Sequence, residues 1–168
     1  MTGRRVGIVL LTAALVSLSI GVYGGNSDTI TVNYEVQAIN EITISAASVT
    51  LTVSTATAGS QPDSVTDNST ATYALTTNST TADSKKITAA IDTAMPSGVT
   101  LYLTLAAPTG ATSTGETEIT NVAASVVTAI EAVAESGLVM TFKLSATVSS
   151  GVVASAAKTL TLTLTDVS

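Results

Sequence analysis

The chain has 168 residues, six basic against twelve acidic, a net charge of −6, and neither cysteine nor histidine. Without thiols or imidazoles it can form no disulfide, no Cys/His metal centre and no Ser–His nucleophile. The acidic balance repels phosphate backbones and anionic lipid, which argues against nucleic acid as a partner.

The start, Met1-Thr-Gly-Arg4-Arg5, is basic and leads into an apolar run from Val6 to Ile20, then the small-residue break Gly21-Val-Tyr-Gly-Gly25. These are the parts of a secretory signal, and the apolar run falls short of the roughly 20 residues that span a bilayer. Residues 1–24 are read as a signal peptide cleaved near Gly24 or Gly25, with no membrane contact expected afterwards. Three other readings stay open: a twin-arginine signal at Arg4-Arg5, processing after Gly7 that retains Ile8 to Ile20 as a helix, as in type IV pilins, and an uncleaved anchor. Cleavage near Gly24 leaves about 144 residues, the size of one compact domain. Losing Arg4 and Arg5 leaves four basic residues against twelve acidic ones, a net charge of −8.

Behind the leader, Thr29-Ile-Thr-Val-Asn-Tyr-Glu-Val-Gln-Ala38 alternates cleanly. Ile30, Val32, Tyr34 and Val36 point one way and Thr31, Asn33, Glu35 and Gln37 the other, the period-2 pattern of a strand with one buried face. Further strands are expected at Glu41 to Ser45 and at Val49 to Val53, followed by a long loop from Ser54 to Thr70 with Gly59, Pro62, Asp63, Asp67 and Asn68. Thr72 to Thr77, Lys85 to Asp92 (Ile87, Ala89 and Ile91 on one face) and Val99 to Leu105 read as strands, separated by turns at Asn78 to Ser84 and Met95 to Gly98. A loop from Pro108 to Gly115 leads to a short strand near Glu116 to Asn121. In the segment Val122 to Glu135, Val122, Val126, Ile130 and Val133 or Ala134 recur at helical spacing, so a short helical segment stopped by Gly137 is expected there. Met140 to Val148 and Leu160 to Leu164 alternate around a turn at Ser149-Ser-Gly151 and are expected to form a long antiparallel hairpin.

The fill is Ala, Val, Leu, Ile and many threonines, with aromatic residues at only 3%. Branching at Cβ suits a pleated, half-buried surface. The fold expected is therefore all-β: a single Ig-like or jelly-roll sandwich of about eight or nine strands, with the segment 25–38 as a leading strand and 39–168 as the sandwich.

Candidate chemistry is sparse. Ser84-Lys85 is a formal Ser–Lys pair, but a lysine beside a turn is ordinarily solvated. Glu116 and Glu118 share a strand face, yet a glycosidase needs a cleft with sugar-stacking aromatics as well. Asp63 and Asp67 offer hard oxygen ligands for calcium, in a spacing that does not fit an EF-hand loop. Asn68-Ser-Thr70 and Asn78-Ser-Thr80 fit the N-glycosylation pattern, and Lys143 is a conceivable isopeptide donor. None of these carries a reaction, so no catalytic, cofactor-binding or metal residue is assigned and no enzyme activity is expected.

Ile30-Thr-Val32 through Ile44, the following loop, Tyr73 to Asn78 and Lys85-Lys-Ile87 together resemble subunits of colonisation-factor-type chaperone-usher pili. The Ala/Thr-rich sandwich and its leading strand are also similar to archaeal bundling-pilus subunits and related bacterial biofilm-fibre proteins. The resemblance implies an extracellular cell-surface filament, a homopolymer in which the N-terminal strand of one subunit completes the sandwich of the next, known as donor-strand complementation. Ile30, Val32, Tyr34 and Val36 would be the intersubunit plugs. A secretion chaperone or other extracellular matrix components are further partners it implies. One departure is the C-terminal strand, Leu160-Thr-Leu-Thr-Leu-Thr-Asp-Val-Ser168, which has no aromatic near its end, where many usher pilins have one. The alternative reading is a monomeric secreted surface module for adhesion or carbohydrate binding, its leading strand being simply the first of a self-contained sandwich and its loops the contact surface.

Overall fold

The computed structural model describes residues 26–167, so the signal-peptide reading of residues 1–24 lies outside them. The chain divides into two units, one ending at Glu35 and one beginning at Val36. Residues 26–35 contain no strand or helix and are exposed throughout. Among the described residues, all of the regular structure belongs to the second unit.

Threonine, valine and leucine in alternation set up the strands, and two antiparallel sheets result. The first comprises β1 (Asn40–Ile44), β3 (Thr72–Thr77), β9 (Val133–Ala146), β5 (Val99–Leu105) and β7 (Thr117–Glu118) in that spatial order, with β2 (Val65–Asp67) also paired to β9. The second runs β10 (Leu160–Asp166), β4 (Lys85–Ile91), β8 (Ala124–Ile130), β6 (Thr112–Ser113). Two single turns of 3₁₀ helix, Thr81–Asp83 and Val148–Ser150, complete the elements. The protein is thus an all-β sandwich, as its composition implies.

The core is what alternation predicts. Ile87, Ala89 and Ile91 of β4, Tyr73 and Leu75 of β3, and Leu103 and Leu105 of β5 are all buried, together with Val126, Val127 and Ile130 of β8 and Met140 and Phe142 of β9. Tyr73 is the largest of these, and its phenol keeps a partner by donating to the Ala106 carbonyl at 2.6 Å. Burial, helped by the nearby Glu135 carboxylate, pushes its ionisation well above the ordinary tyrosine range. Gly98 closes the entry to β5 at φ +78°, where its carbonyl accepts from Thr147 N–H at 2.8 Å. An added Cβ there would lie 2.7 Å from Thr147 Oγ1, so only glycine fits.

Four expectations are corrected by the structure. The segment Val122 to Glu135 is not helical: it forms β8 and the start of β9. The register between β4 and β8 slips twice, between Lys85 and Ile87 and again between Ile87 and Thr88, each slip placing an extra residue in β8. Ala129 sits at φ +56° within the first. Such bulges break period 2. They leave Val126, Val127 and Ile130 buried together, which imitates helical spacing in the sequence. Gly137, expected to stop a helix, lies instead in the irregular pairing of β9 with β3, at φ +72°.

The expected C-terminal hairpin does not form either. β9 already has β3 and β2 along one side and β5 along the other, so β10 pairs with β4 in the opposite sheet. The turn at Ser149-Ser-Gly151 is present, but the exposed stretch beyond it carries the chain across the sandwich. Third, the loops expected at 54–70 and 108–115 contain the short strands β2 and β6, which brings the number of strands to ten among the described residues. Fourth, Val49 to Val53 belongs to no strand ladder; Thr29 to Ala38, expected to pair with a neighbouring copy, has no ladder within its own chain among the described residues.

Candidate functional site

The four residues singled out in the leading segment are among the most exposed large apolar side chains described: Ile30 at 88%, Val32 at 72%, Tyr34 at 92% and Val36 at 78% of full exposure. Their alternation has no matching cover, and no backbone group of residues 29–36 bonds to another backbone group among the described residues. Isolated exposed apolar residues are ordinary, but four in period-2 register on an unpaired arm are not.

The root of this arm is fixed by two asparagines. Asn78, just past β3, donates from Nδ2 to the Gln37 carbonyl at 2.8 Å and accepts from Ile39 N–H on Oδ1 at 2.8 Å. Its own N–H donates to the Ile39 carbonyl at 3.2 Å. Asn40 Oδ1 accepts from the Thr77 hydroxyl at 2.8 Å, and Ser79 Oγ lies within bonding distance of both. The buried hydroxyls of Thr77 and Ser79 are thereby satisfied. Residues 37–40 are therefore held to the end of β3. Sequence reasoning missed this clamp and read Asn78 only as a turn residue and a glycosylation triplet; side-chain amides near a strand end do not reveal their partners by spacing.

The sandwich is closed unequally on its two sides. Toward β7 and β8 the core is sealed, with Ile119, Val126 and Val127 at 0–1% exposure. On the edge strands β1 and β10, by contrast, Ile42, Leu160, Leu162 and Leu164 are only partly covered although all pack against the core, as do Val49 and Leu51 beyond β1 in sequence. Beyond β1, residues 49–53 keep alternate burial, with Val49, Leu51 and Val53 half-buried and Thr50 and Thr52 exposed. Their burial alternates as in a strand, yet no backbone group from residue 46 to 54 makes a hydrogen bond among the described residues. This half-open rim and the uncovered arm are both unsatisfied features among the described residues.

The other candidates resolve into structural roles. Asp67 caps the β2–β3 turn, accepting from the N–H groups of Ser69 and Thr70 and from the Thr70 hydroxyl. The hydroxyl bond, more than the others, holds its carboxyl below the ordinary value. Among the described residues no three acidic groups gather as a metal site. Lys85 pairs with Asp166 across β4 and β10. Lys143 lies 2.9 Å from Glu116 Oε1 and 5.2 Å from the Tyr102 ring centroid, an arrangement that covers the ring and occupies the first of the two glutamates. Of the rings described, Tyr73 and Phe142 are in the core and Tyr34 is on the arm, so no aromatic platform for stacking a sugar is assembled. Two shallow clefts, of about 190 and 390 Å³, have no aromatic residue in their walls. Comparison of the chain with known protein families, with curated proteins and with solved structures finds no significant match.

Proposed function

We propose that the protein is a non-enzymatic structural subunit of an extracellular filament, polymerising by donor-strand complementation, in which residues 29–38 of one copy complete the sandwich of the next. The observation that carries this reading is the arm itself: Ile30, Val32, Tyr34 and Val36 stand in strand register, 72–92% exposed, on a segment with no ladder of its own. Apolar burial alone does not order such an arm, because fixing its backbone opposes the gain. Adding it to a sheet supplies main-chain hydrogen bonds as well. The contact joins one end of a copy to a different surface of another, so it is heterologous and propagates rather than closes. The extracellular setting rests on the leader sequence.

The alternative, a monomeric surface module for adhesion or carbohydrate binding, has less support, since the described rings are buried, covered by a lysine or carried on the arm. The test compares the mature chain with a variant lacking residues 25–38 by size exclusion and electron microscopy. Filaments from the mature chain alone support strand donation, whereas two equally folded monomers refute it.

A further inference from the structure

We infer that the receiving surface is the strand-like segment 46–54 together with the free edge of β10, and that its occupant is residues 29–38 of a second copy of this chain. The inference rests on the filament reading and assigns its second half. Three observations point to these two stretches. The backbone of residues 46–54 makes no hydrogen bond among the described residues, while Val49 and Leu51 remain packed on the core. A segment held in place by its side chains but open along its main chain is a template for strand addition. The β10 edge beside the other sheet presents Leu160, Leu162 and Leu164, each only half-covered, at the same period of two.

Length and charge select the occupant. The open run spans nine residues and the arm from Thr29 to Ala38 ten, so at about 3.3 Å per residue the two match over roughly 30 Å. Residues 46–54 carry no charge, nor does β10 before Asp166, and Glu35 is the arm's only charged side chain. In a chain of net negative charge this is a neutral strip on which two copies meet without repulsion. The inward set Ile30, Val32, Tyr34 and Val36 then covers the half-exposed leucines and valines, and the outward set lies level with Thr50 and Thr52.

The absence of cysteine makes the placement directly readable. Single cysteines are introduced in the arm at Thr31, Asn33 or Glu35 and combined with one at Ser48, Thr50 or Thr52, all exposed positions outside the alternating apolar sets. Control pairs place the second cysteine at Ser113, on the opposite edge strand β6. Each full-length double variant is assembled, oxidised and run without reductant, with filaments counted separately by electron microscopy. The expected result is filaments whose chains form a covalent ladder for at least one arm/46–54 pair and for none of the Ser113 pairs. Filaments with a ladder only through Ser113, or with no ladder, overturn the placement while leaving the filament reading standing. A cross-linked monomer in place of a ladder shows the arm covering its own edge and overturns both. Hydrogen exchange adds a readout without substitution: amides 46–54 slow by more than about tenfold on assembly if they acquire strand partners, and unchanged exchange in intact filaments overturns the inference.

Discussion

Truncating the arm's side chains separates assembly from folding. In the double variant Ile30→Ala/Val32→Ala, the loss on burial is about 0.8 kcal/mol for each carbon removed, roughly 2.4 for Ile30 and 1.6 for Val32. At about 1.4 kcal/mol per tenfold, the combined loss of about 4 kcal/mol raises the critical concentration for filament growth on the order of a thousandfold. The isolated copy feels almost none of this, because the two side chains are already 88% and 72% exposed. Its own stability shifts by no more than about 0.5 kcal/mol, a change of roughly 1–2 °C in Tm for a chain of this size. The assay is sedimentation of filaments across a concentration series, paired with thermal unfolding of the unassembled protein followed by circular dichroism. A critical concentration that does not move refutes the arm as donor. A Tm that falls by many degrees in the unassembled protein refutes the premise that these side chains lack cover within their own copy.

Further outcomes test the scaffold. Gly98→Ala combines a left-handed backbone with a Cβ 2.7 Å from Thr147 Oγ1, so thermal unfolding is expected to show a loss of about 1–3 kcal/mol. Asn78→Ala removes the two side-chain bonds that hold Gln37 and Ile39; limited proteolysis is expected to cut faster at residues 36–39 while β3 stays intact, at a cost of about 1–2 kcal/mol. Asp67, whose carboxyl is held below its ordinary value of 3.8 in the folded state, contributes stability that is whole above that value and is lost as pH falls through the lower folded one. Asp67→Asn should therefore flatten the acid limb of a Tm-against-pH curve below about pH 4 and leave its neutral region parallel to the parent.

The parts of the fold visible in the sequence were those governed by a strict period of two. β3, β4 and β5 stand where alternation puts them, and their inward residues are the core, because each has one buried face and regular neighbours. Alternation failed where pairing departs from one-to-one. The bulges of β8 gave its buried valines and isoleucine a helical spacing. The partner of β10 was hidden because adjacency in sequence favours a hairpin, whereas both sides of β9 were already taken by strands much earlier in the chain. Half of the candidate site was legible in the same way. Ile30, Val32, Tyr34 and Val36 announce a face to be buried, and the structure places them exposed. The segment from Val49 to Val53 reads as an ordinary strand, and only three-dimensional pairing distinguishes a strand with a neighbour from one whose main chain is left open.

The most direct measurement is an electron-microscopy reconstruction of the assembled filament at a resolution that traces the backbone. The account calls for residues 29–38 of each copy to be hydrogen-bonded as a strand along the neighbouring copy, with Ile30, Val32, Tyr34 and Val36 turned into its core. An arm paired to its own sandwich, a filament built through other surfaces with the arm free, or a mature chain that stays monomeric at every concentration would contradict it.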